Sequence, residues 1–449
     1  MMNEDPVTTA EAEVAQVSNL QSEEASKLET CPTSLDLTEL QALTPAELDD
    51  LCRRMDMRLH PARTRHYQIL DLVRCALSQN IPVTTEGFFD QIADSFGVLR
   101  APALNFLPVP EDVGVPRATL QHFRLRPGQR IAGTIRPPRD REKSIMLDQV
   151  TAIEGRPAEE WQEPAAFDDL TPLYPEGRIM LENTTTNSIS ARAVDLLTPL
   201  GKGQRGLIVA APRVGKTILL KEIAKAIRVN HPEIILIILL VDERPEEATD
   251  LQREVDCQIY TSTFDENPQR HVQVAELVLE RAKRLLEQKK DVVVLLDSIT
   301  RLARGYNAMQ GKGRTMSGGV ESKALLKPKK FFGSARNVEE GGSLTILATA
   351  LVDTGSKMDQ VIFEEFKGTG NMELHLDRSL VEKRLYPAIH VQQSATRREE
   401  LLYHPEEWER VKLLRKAMAA LPPIEAMEML IGNLQATKSN AELLLSGLR

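Results

Sequence analysis

The stretch Gly206-Leu-Ile-Val-Ala-Ala-Pro-Arg-Val-Gly-Lys-Thr217, followed by Ile218-Leu-Leu-Lys-Glu-Ile223, decides the fold of this chain. It begins with a short aliphatic run that predicts a buried strand, and the apolar spacing after Thr217 predicts a helix. A loop that joins a strand to a helix and ends in Gly-Lys-Thr is the pattern of a phosphate-binding loop. Backbone N–H groups of such a loop bind phosphate oxygens. We expect Lys216 to reach the β and γ phosphates of ATP and the Thr217 hydroxyl to bind Mg²⁺.

Two other apolar runs end in carboxylates that suit the same chemistry. Val292-Val-Val-Leu-Leu-Asp297 predicts a strand that ends beside the phosphate loop, where Mg²⁺ needs a second contact, and we assign that contact to Asp297. Leu240-Val-Asp-Glu243 ends at the same edge of the sheet. Hydrolysis needs a group that orients or deprotonates the attacking water, and we assign this role to Glu243. Asp242 stays an alternative, because adjacent strand residues point to opposite faces.

Apolar runs alternate with amphipathic segments through the C-terminal half of the chain. The runs Gly206–Ala210, Ile234–Val241, Asp291–Leu296 and Ser343–Val352 are typical of buried strands, and the segments between them have apolar residues at helical spacing. Strands buried on both faces and joined by helices indicate an α/β fold with a mostly parallel, doubly wound sheet. We therefore predict a RecA-like P-loop domain in this half.

The N-terminal part of the chain changes character several times. Its first residues are polar and acidic, which predicts a disordered tail. Leucines at helical spacing, with Thr44-Pro45 as a helix start, predict a small helical bundle, and the short apolar stretches among prolines that follow are typical of an OB-like β-barrel. The predicted segments are the tail 1–33, the helical bundle 34–86, the OB-like barrel 87–160, a linker 161–200 and the RecA-like domain 201–449.

Composition sets limits on partners and location. The formal charge is −9, but residues 1–40 hold nine acidic residues and one lysine, so the remainder is nearly neutral and can present a basic groove to a polyanion. No apolar run approaches the roughly 20 residues of a membrane span, so we expect a cytoplasmic protein with no membrane partner. Neither a disulfide framework nor a zinc site is indicated by the four scattered cysteines, Cys31, Cys52, Cys75 and Cys257.

Six motifs of the C-terminal half share one resemblance. They are Gly201-Lys-Gly-Gln-Arg-Gly206, Asp242-Glu-Arg-Pro-Glu-Glu247, Asp297-Ser-Ile-Thr-Arg-Leu-Ala-Arg304, Phe331-Phe-Gly-Ser-Ala-Arg-Asn-Val-Glu-Glu-Gly-Gly342, Gly355-Ser-Lys-Met358 and Asn371-Met-Glu-Leu-His-Leu376. With them the chain resembles the Rho family of bacterial transcription termination factors, which are RNA-dependent hexameric ATPases. The likeness runs from about Leu37 to the C-terminus and is densest over residues 200–400. The family's phosphate loop also begins with Ala, as this one does at Ala210.

The resemblance implies the catalytic residues position by position. The phosphate lysine, the Mg²⁺ hydroxyl, the catalytic glutamate and the Mg²⁺ aspartate of the family fall on Lys216, Thr217, Glu243 and Asp297. The family's arginine finger, which stabilises charge on the γ-phosphate, falls on Arg397. From the residues alone, Arg397 and its neighbour could equally be a pair of solvated arginines.

Further nucleotide contacts are implied by the same resemblance. Arg213 stands where the family has a second phosphate-loop base, Arg244 matches an arginine that contacts ATP, and Tyr386 replaces the aromatic on which adenine stacks. The implied nucleotide-binding residues are Gly201, Lys202, Gly203, Gln204, Arg205, Gly206, Arg213, Val214, Gly215, Lys216, Thr217, Ile218, Arg244 and Tyr386.

Two RNA sites are also implied. Two loops would line the pore of the ring, where small residues let a backbone approach and basic side chains meet phosphates. Their residues are Arg314, Thr315, Met316, Ser317, Gly318, Gly319, Val320, Glu321 and Lys357. The primary RNA site would lie on the barrel, at Phe96, Gly97, Val98, Leu99, Arg100, Asp112, Val113, Gly114, Glu142 and Ser144.

The primary site departs from the family pattern at three positions. Val98, Gly114 and Ser144 stand where the family usually has aromatic residues. A base stacked on an aromatic ring contributes about 1–3 kcal/mol, so the loss of three rings weakens this site and its base preference. The sequence leaves open whether the barrel still binds RNA usefully or is purely structural.

These features predict an ATP-driven translocase, and the resemblance implies that it is a homohexamer. It would bind nascent single-stranded RNA, pull it through the pore, unwind RNA·DNA hybrids and release RNA from the RNA polymerase elongation complex. One alternative is another RecA-like ring, such as a rotary-ATPase or export-ATPase subunit, which the N-terminal modules argue against. The other is a passive RNA-binding or assembly protein that binds ATP without turnover, which the intact catalytic set argues against.

Overall fold

The computed structural model describes residues 32–139, 142, 144–183, 186–310, 317–321 and 323–446. The predicted tail therefore lies outside the described residues except for its last two positions. Arg314, Thr315 and Met316 of the predicted pore loop also lie outside them. The chain divides into two compact units, residues 1–162 and 163–449.

The N-terminal unit combines helices with a closed barrel. Its helices are α1 (Leu37–Ala42), α2 (Pro45–Arg54), α3 (Arg65–Ser78) and α4 (Arg117–Phe123). Its strands are β1 (Leu35–Asp36), β2 (Val83–Ala93), β3 (Phe96–Arg100), β4 (Val113–Val115), β5 (Arg130–Arg136), β6 (Met146–Ile153) and β7 (Arg156–Pro157). Strand β2 pairs with both β3 and β5, so the order β2-β3-β4-β6-β5 closes into an OB-like barrel.

The helices and the barrel of this unit share one core. Helix α2 begins at the predicted Thr44-Pro45 site and is capped by Thr44, whose hydroxyl accepts a bond from Glu47 N–H while the Glu47 carboxylate accepts one from Thr44 N–H. Leu48 and Leu72 of the helices and Ile131 of the barrel belong to the same buried cluster. The predicted segments 34–86 and 87–160 are therefore packed together in a single unit.

The C-terminal unit is an α/β domain. Its strands are β8 (Pro172–Leu173), β9 (Glu176–Ile179), β10 (Leu200–Lys202), β11 (Arg205–Ala210), β12 (Ile235–Glu243), β13 (Gln258–Thr263), β14 (Asp291–Asp297), β15 (Arg336–Val338), β16 (Ser343–Leu351), β17 (Met372–Leu376) and β18 (Ala395–Thr396). Its helices are α5 (Ile189–Leu197), α6 (Lys216–Asn230), α7 (Pro245–Glu254), α8 (Pro268–Glu287), α9 (Ile299–Met309), α10 (Leu326–Gly333), α11 (Lys357–Lys367), α12 (Arg378–Glu382), α13 (Pro405–Ala419), α14 (Pro423–Ala436) and α15 (Asn440–Ser446). None of the helices in the described ranges is both long and apolar enough to cross a membrane.

The main sheet confirms the predicted doubly wound architecture. Its order is β13-β12-β14-β16-β11-β17-β18, and every pairing from β13 to β17 is parallel. The four apolar runs predicted as strands became β11, β12, β14 and β16. Because parallel strands all end at one edge, the phosphate loop after β11 and the carboxylates at the ends of β12 and β14 lie at that edge.

The linker predicted at residues 161–200 is wrong in its second half. Residues 191–197 of helix α5 are all buried in the core of the C-terminal unit. The Arg192 side chain is 0% exposed and donates hydrogen bonds to Leu434 O at 2.7 Å and Thr437 O at 2.6 Å. The proline- and glutamate-rich residues before this helix dominated the composition and hid its apolar spacing.

Burial of Asp195 in helix α5 predicts a pH dependence of stability. Burial raises the pKa of this carboxyl to about 7, against the opposing effects of Arg178 and of two backbone N–H donors. A folded-state pKa above the unfolded one means that the folded protein binds the proton more tightly. The free energy of unfolding should therefore decrease as the pH rises from about 4 to 7, by at most about 1.4 kcal/mol per pH unit.

We expect Asp195→Asn to flatten the pH dependence of urea unfolding across this range. The exposed Asp256 is a matched control, and Asp256→Asn should keep the slope of the unsubstituted protein. Parallel curves for Asp195→Asn and the unsubstituted protein would contradict this account.

Candidate nucleotide and RNA sites

The phosphate loop has the geometry that its sequence predicts. It follows the last residue of β11, Ala210, and leads into helix α6, which begins at Lys216. Gly215 precedes this helix with a φ of 90°, and Arg213 has a φ of 67°, so the loop turns through the left-handed region twice. The N–H groups of the first turn of α6 are free of intrahelical partners and can bind phosphate oxygens.

Three predicted catalytic residues converge at this loop. The Lys216 Nζ atom lies 2.6 Å from Glu243 Oε1 and 2.5 Å from Asp297 Oδ1. Asp297 also accepts a hydrogen bond from the Thr349 hydroxyl at 2.7 Å. The lysine, the end of β12 and the end of β14 thus form one ionic cluster.

The cluster is buried, and its charges stabilise one another. Burial alone would lower the pKa of Lys216, but the charges of Asp297 and Glu243 raise it above its usual value. Burial would raise the pKa of Glu243, yet Lys216 and Arg301 hold it below its usual value. For Asp297 the effect of burial is the larger one, so its pKa is raised despite Lys216. Glu243 therefore stays ionised at neutral pH and can accept a proton or orient water.

A backbone irregularity separates Glu243 from Asp242. The register of β12 against β13 shifts between Val241 and Glu243, and Asp242 sits in this bulge with a φ of 56°. Glu243 is 4% exposed and contacts Lys216, whereas the Asp242 side chain lies 3.9 Å from Arg301. The bulge turns only Glu243 into the cluster.

The residues predicted to bind Mg²⁺ suit a site in which the substrate phosphates supply the remaining ligands. The Thr217 hydroxyl lies at the start of α6 and donates to Glu247 Oε2 at 3.0 Å. Among the described residues no group of three or more His, Cys, Asp or Glu side chains could hold a metal by itself. Mg²⁺ is usually bound through one or two protein ligands together with substrate phosphates, so one hydroxyl and one carboxylate fit this ion.

Three further predicted contacts lie on exposed positions at this edge. Arg244 precedes α7 directly after the end of β12, and its side chain is 67% exposed. Tyr386 is 51% exposed in the loop that follows β17 and α12. Val214 is buried beneath the loop, and Ile218 is 65% exposed on the first turn of α6.

The motif Gly201–Gly206 does not join this cluster. It lies at the start of β11, four residues or about 13 Å from the end of the strand that carries the loop. Lys202 forms an ion pair with Asp291 at 2.6 Å, and Gln204 is buried and donates to Asn371 Oδ1 at 2.6 Å. A Cβ on Gly203 would lie 2.2 Å from Asn337 N. In its own subunit this motif supports the strand and does not reach the phosphate loop.

Arg397 lies at the same distal end. Its N–H donates to Asn371 O at 2.8 Å, and Asn371 N–H donates to Arg205 O at 2.9 Å. Arg397 and Arg336 are the charges that lower the pKa of Arg205, after the larger effect of burial. The three arginines therefore lie near one another at the end of the sheet opposite to the phosphate loop, and of the three only Arg397 is exposed.

The two predicted pore loops contact one another. Ser317–Gly319 form a 3-10 turn, and a Cβ on Gly318 would lie 2.8 Å from Lys357 O. Val320 is buried, and Glu321 N–H donates to Asn307 Oδ1 at 2.8 Å. Lys357 is exposed at the start of α11, beside a cavity of about 490 Å³.

On the barrel, the predicted RNA residues divide between core and surface. Leu99 and Val113 are in the core, and Gly97 packs against the Phe89 ring. Val98 pairs with Gly114, and Gly114 pairs with Met146, so these three positions form a row across β3, β4 and β6.

Side chains cover the glycine of this row. A Cβ on Gly114 would lie 2.5 Å from the Met146 sulfur and 3.2 Å from the Phe96 ring. The Ser144 hydroxyl lies 3.8 Å from the same sulfur. The space in which an aromatic side chain at position 114 would lie is therefore filled by Met146.

The charged residues of the barrel site are paired within the unit. Arg100 donates to Asp90 Oδ2 at 3.0 Å and also binds Asp112. Glu142 accepts two bonds from Arg136, at 2.7 and 2.9 Å. Phe96 is half-buried and remains the one aromatic ring among the predicted residues of this site.

Sequence reasoning missed several residues that touch the cluster. Arg301 lies 3.2 Å from Glu243, Glu247 accepts from Thr217, and Thr349 donates to Asp297. Arg301 falls in the motif that begins at Asp297, four residues on, which is the spacing of one helical turn. Glu247 likewise ends the motif that begins at Asp242, whereas Thr349 gave no comparable signal because its contact is set by the pairing of distant strands.

Two family models match parts of the chain. One is described as the ATP synthase alpha/beta family, nucleotide-binding domain, and matches residues 190–396. The other is described as the Rho termination factor, RNA-binding domain, and matches residues 85–159. The first begins within helix α5 and includes the whole ionic cluster.

Curated relatives match along nearly the whole chain. A transcription termination factor Rho of Akkermansia muciniphila is 49% identical over 415 residues, which cover 92% of this chain and 88% of the relative. A transcription termination factor Rho of Pseudomonas aeruginosa is 50% identical over 412 residues, which cover 91% of this chain and 98% of the relative.

Solved structures share the fold at lower identity. A prototypical ATPase from the type III secretion system of pathogenic bacteria is 21% identical, with a TM-score of 0.54 over 69% of this chain and 92% of that one. The assembled ATPase EscN of enteropathogenic E. coli is 20% identical, with a TM-score of 0.52 over 69% of this chain and 78% of that one. At this identity the likeness shows a common fold alone.

The separation of Gly201–Gly206 from the phosphate loop predicts different effects of two lysine substitutions on nucleotide binding. Lys216→Ala should weaken binding of a fluorescent ATP analogue about 10- to 100-fold, because it removes charge-assisted bonds worth about 1.5–3 kcal/mol each. Lys202→Ala removes only the pair with Asp291 and should leave the Kd within about twofold. Equal losses for the two variants would show that the motif takes part in binding.

Proposed function

This chain belongs to the Rho family of transcription termination factors, and from that membership we propose how its residues hydrolyse ATP and engage RNA. It is an RNA-binding ATPase that acts in transcription termination. The observation that carries the residue assignments is the convergence of Lys216, Glu243 and Asp297 at the end of the parallel sheet.

The ionic cluster supports a hydrolytic role for each member. We propose that bound ATP takes the Lys216 ammonium as a partner for its β and γ phosphates, in place of the two carboxylates. Glu243, released from the lysine, then orients the attacking water and accepts its proton. Thr217 and Asp297 would hold Mg²⁺, which neutralises phosphate charge when bound.

The position of Arg397 supports action on a neighbouring subunit. It lies at the end of the sheet opposite to the phosphate loop, and the Arg205 and Arg336 charges lie beside it. A group that faces away from its own nucleotide can act on the next subunit if the subunits form a closed ring. We propose a homohexamer in which Arg397 stabilises the transition state on the neighbour's γ-phosphate.

Helix α9 supports coupling between ATP and RNA. It begins beside Asp297, and Arg301 on its first turn contacts Glu243. One turn later Arg304 binds Asp359 of the helix that carries Lys357, and Asn307 binds the loop that contains Gly319. We propose that this helix transmits hydrolysis to the pore loops, which would contact the phosphates of single-stranded RNA.

The wider role follows from the same assignments. RNA would enter through the barrel, be drawn through the pore and be pulled from the RNA polymerase elongation complex, with unwinding of the RNA·DNA hybrid. This activity takes place in the cytoplasm, on nascent transcripts.

The bulge at Asp242 predicts unequal effects of two neighbouring substitutions. Glu243→Gln should lower the kcat of ATP hydrolysis by about 10²- to 10⁴-fold, because the general base is lost while its shape is kept. Asp242→Asn should change kcat by no more than about threefold. Steady-state phosphate release at saturating ATP and RNA measures both. A larger loss for Asp242→Asn would reverse the assignment.

Stimulation by RNA tests the function as a whole. We expect hydrolysis by the full chain to rise strongly on addition of poly(C), poly(U) or purine-rich RNA, with Glu243→Ala inactive under every condition. The effect should weaken at higher salt, since phosphate contacts release counterions. Hydrolysis that is indifferent to every RNA would rule out an RNA-driven motor.

A further inference from the structure

A carboxylate and an imidazole lie beside Arg397 and have no role in the function proposed so far. Strands β17 and β18 pair antiparallel, with Glu373 opposite Ala395. Arg397 follows two residues after Ala395, and His375 follows two residues after Glu373. Successive residues of a strand alternate between faces, so all four positions lie on the same face of the sheet.

The pairing register brings Glu373 within reach of Arg397. Diagonal neighbours in an antiparallel pair lie about 7–8 Å apart, a separation that long side chains span. The directly opposed residue is Ala395, whose methyl group leaves the space above Glu373 open. The Arg397 guanidinium can therefore approach the Glu373 carboxylate across the strand pair.

The electrostatics of Glu373 agree with this arrangement. The His375 Nε2 atom lies 3.1 Å from Glu373 Oε2. This hydrogen bond holds the pKa of Glu373 below its usual value against the effect of burial, and the charges of Lys367 and Arg397 lower it further. Glu373 is therefore an ionised carboxylate that is attached to His375 and attracted to two basic side chains.

The Glu373–His375 pair is accessible from outside the subunit. Glu373, His375, Lys367 and Gln393 line an open cavity of about 520 Å³. Lys367 is exposed at the end of α11, and Arg397 is exposed at the end of β18. Both cations can thus meet an anion that approaches from a neighbouring subunit.

We propose that Glu373, held in place by His375, is a positioning residue that orients Arg397 and Lys367 toward the nucleotide of the adjacent subunit. This inference rests on the assignment of Arg397 as the arginine finger. Charge develops on the γ-phosphate in the transition state. An arginine finger that is already oriented stabilises that charge without first having to move. Loss of the orienting carboxylate lowers kcat more than it changes ATP binding.

The test is steady-state ATP hydrolysis by the full chain at saturating RNA. Glu373→Gln should lower kcat about tenfold, within the range that a misplaced catalytic group causes, and leave KM within about twofold. Glu373→Asp keeps the negative charge but draws it back by one methylene. Its kcat should lie between those of the unsubstituted protein and Glu373→Gln. The matched control is Glu365→Gln on α11, which removes a half-exposed carboxylate paired with Lys329 and should keep full activity.

A double-mutant cycle separates positioning from a structural effect. If Glu373 acts through Arg397, the variant with both Arg397→Ala and Glu373→Gln should have the same kcat as Arg397→Ala alone. His375→Gln should give a smaller loss that also disappears in the Arg397→Ala background.

Three outcomes would overturn the inference. An unchanged kcat for Glu373→Gln would remove its basis, and a further tenfold loss in the Arg397→Ala background would show a structural role. Wild-type activity of Arg397→Ala would refute the finger assignment itself, and the inference with it. If Glu373→Gln leaves kcat unchanged while Arg397→Ala lowers it, the proposed function stands and the positioning role of Glu373 is refuted.

Discussion

The nucleotide site depends on one contact, the Lys216 ammonium held between the carboxylates of Glu243 and Asp297. Buried carboxylates are costly without a partner, and here a single cation serves two of them at 2.5–2.6 Å. The contact exists only because strands β11, β12 and β14 run parallel and end at one edge. The order and direction of the strands therefore determine which charged groups meet at the nucleotide site.

The polarity of that sheet gives the C-terminal unit two chemically different ends. One end carries the phosphate loop, the acidic cluster and the exposed Tyr386. The other carries Arg205, Arg336 and Arg397, at the starts of the strands. The phosphate loop and the proposed arginine finger therefore lie at opposite ends of the same sheet, which is the arrangement that the proposed ring requires.

The barrel keeps the OB-like fold even though its sequence departs from the family pattern at the predicted RNA site. Its strands close as in other OB-like barrels, and Val98 and Gly114, two of the positions where the resemblance implies aromatic residues, form a buried row with Met146. A larger residue at position 114 would clash, because Met146 and Phe96 lie over Gly114. The polarisable Met146 thioether packs adaptably against its neighbours in this buried row.

The sequence alone predicted the α/β class, the phosphate loop and the positions of Lys216 and Asp297 at one edge of the sheet, because each depends on contiguous residues whose periodicity and spacing fix the local structure. It assigned the water-activating role to Glu243 with Asp242 as the alternative, and only the β-bulge against β13 decides that Glu243 is the one that contacts Lys216. It took residues 161–200 for a linker and did not reveal that Gly201–Gly206 lies away from the phosphate loop, because the burial of α5 and the position of that motif along β11 follow from packing between distant segments. Local patterns fix which groups a chain possesses, and the register and direction of its strands decide which of them meet.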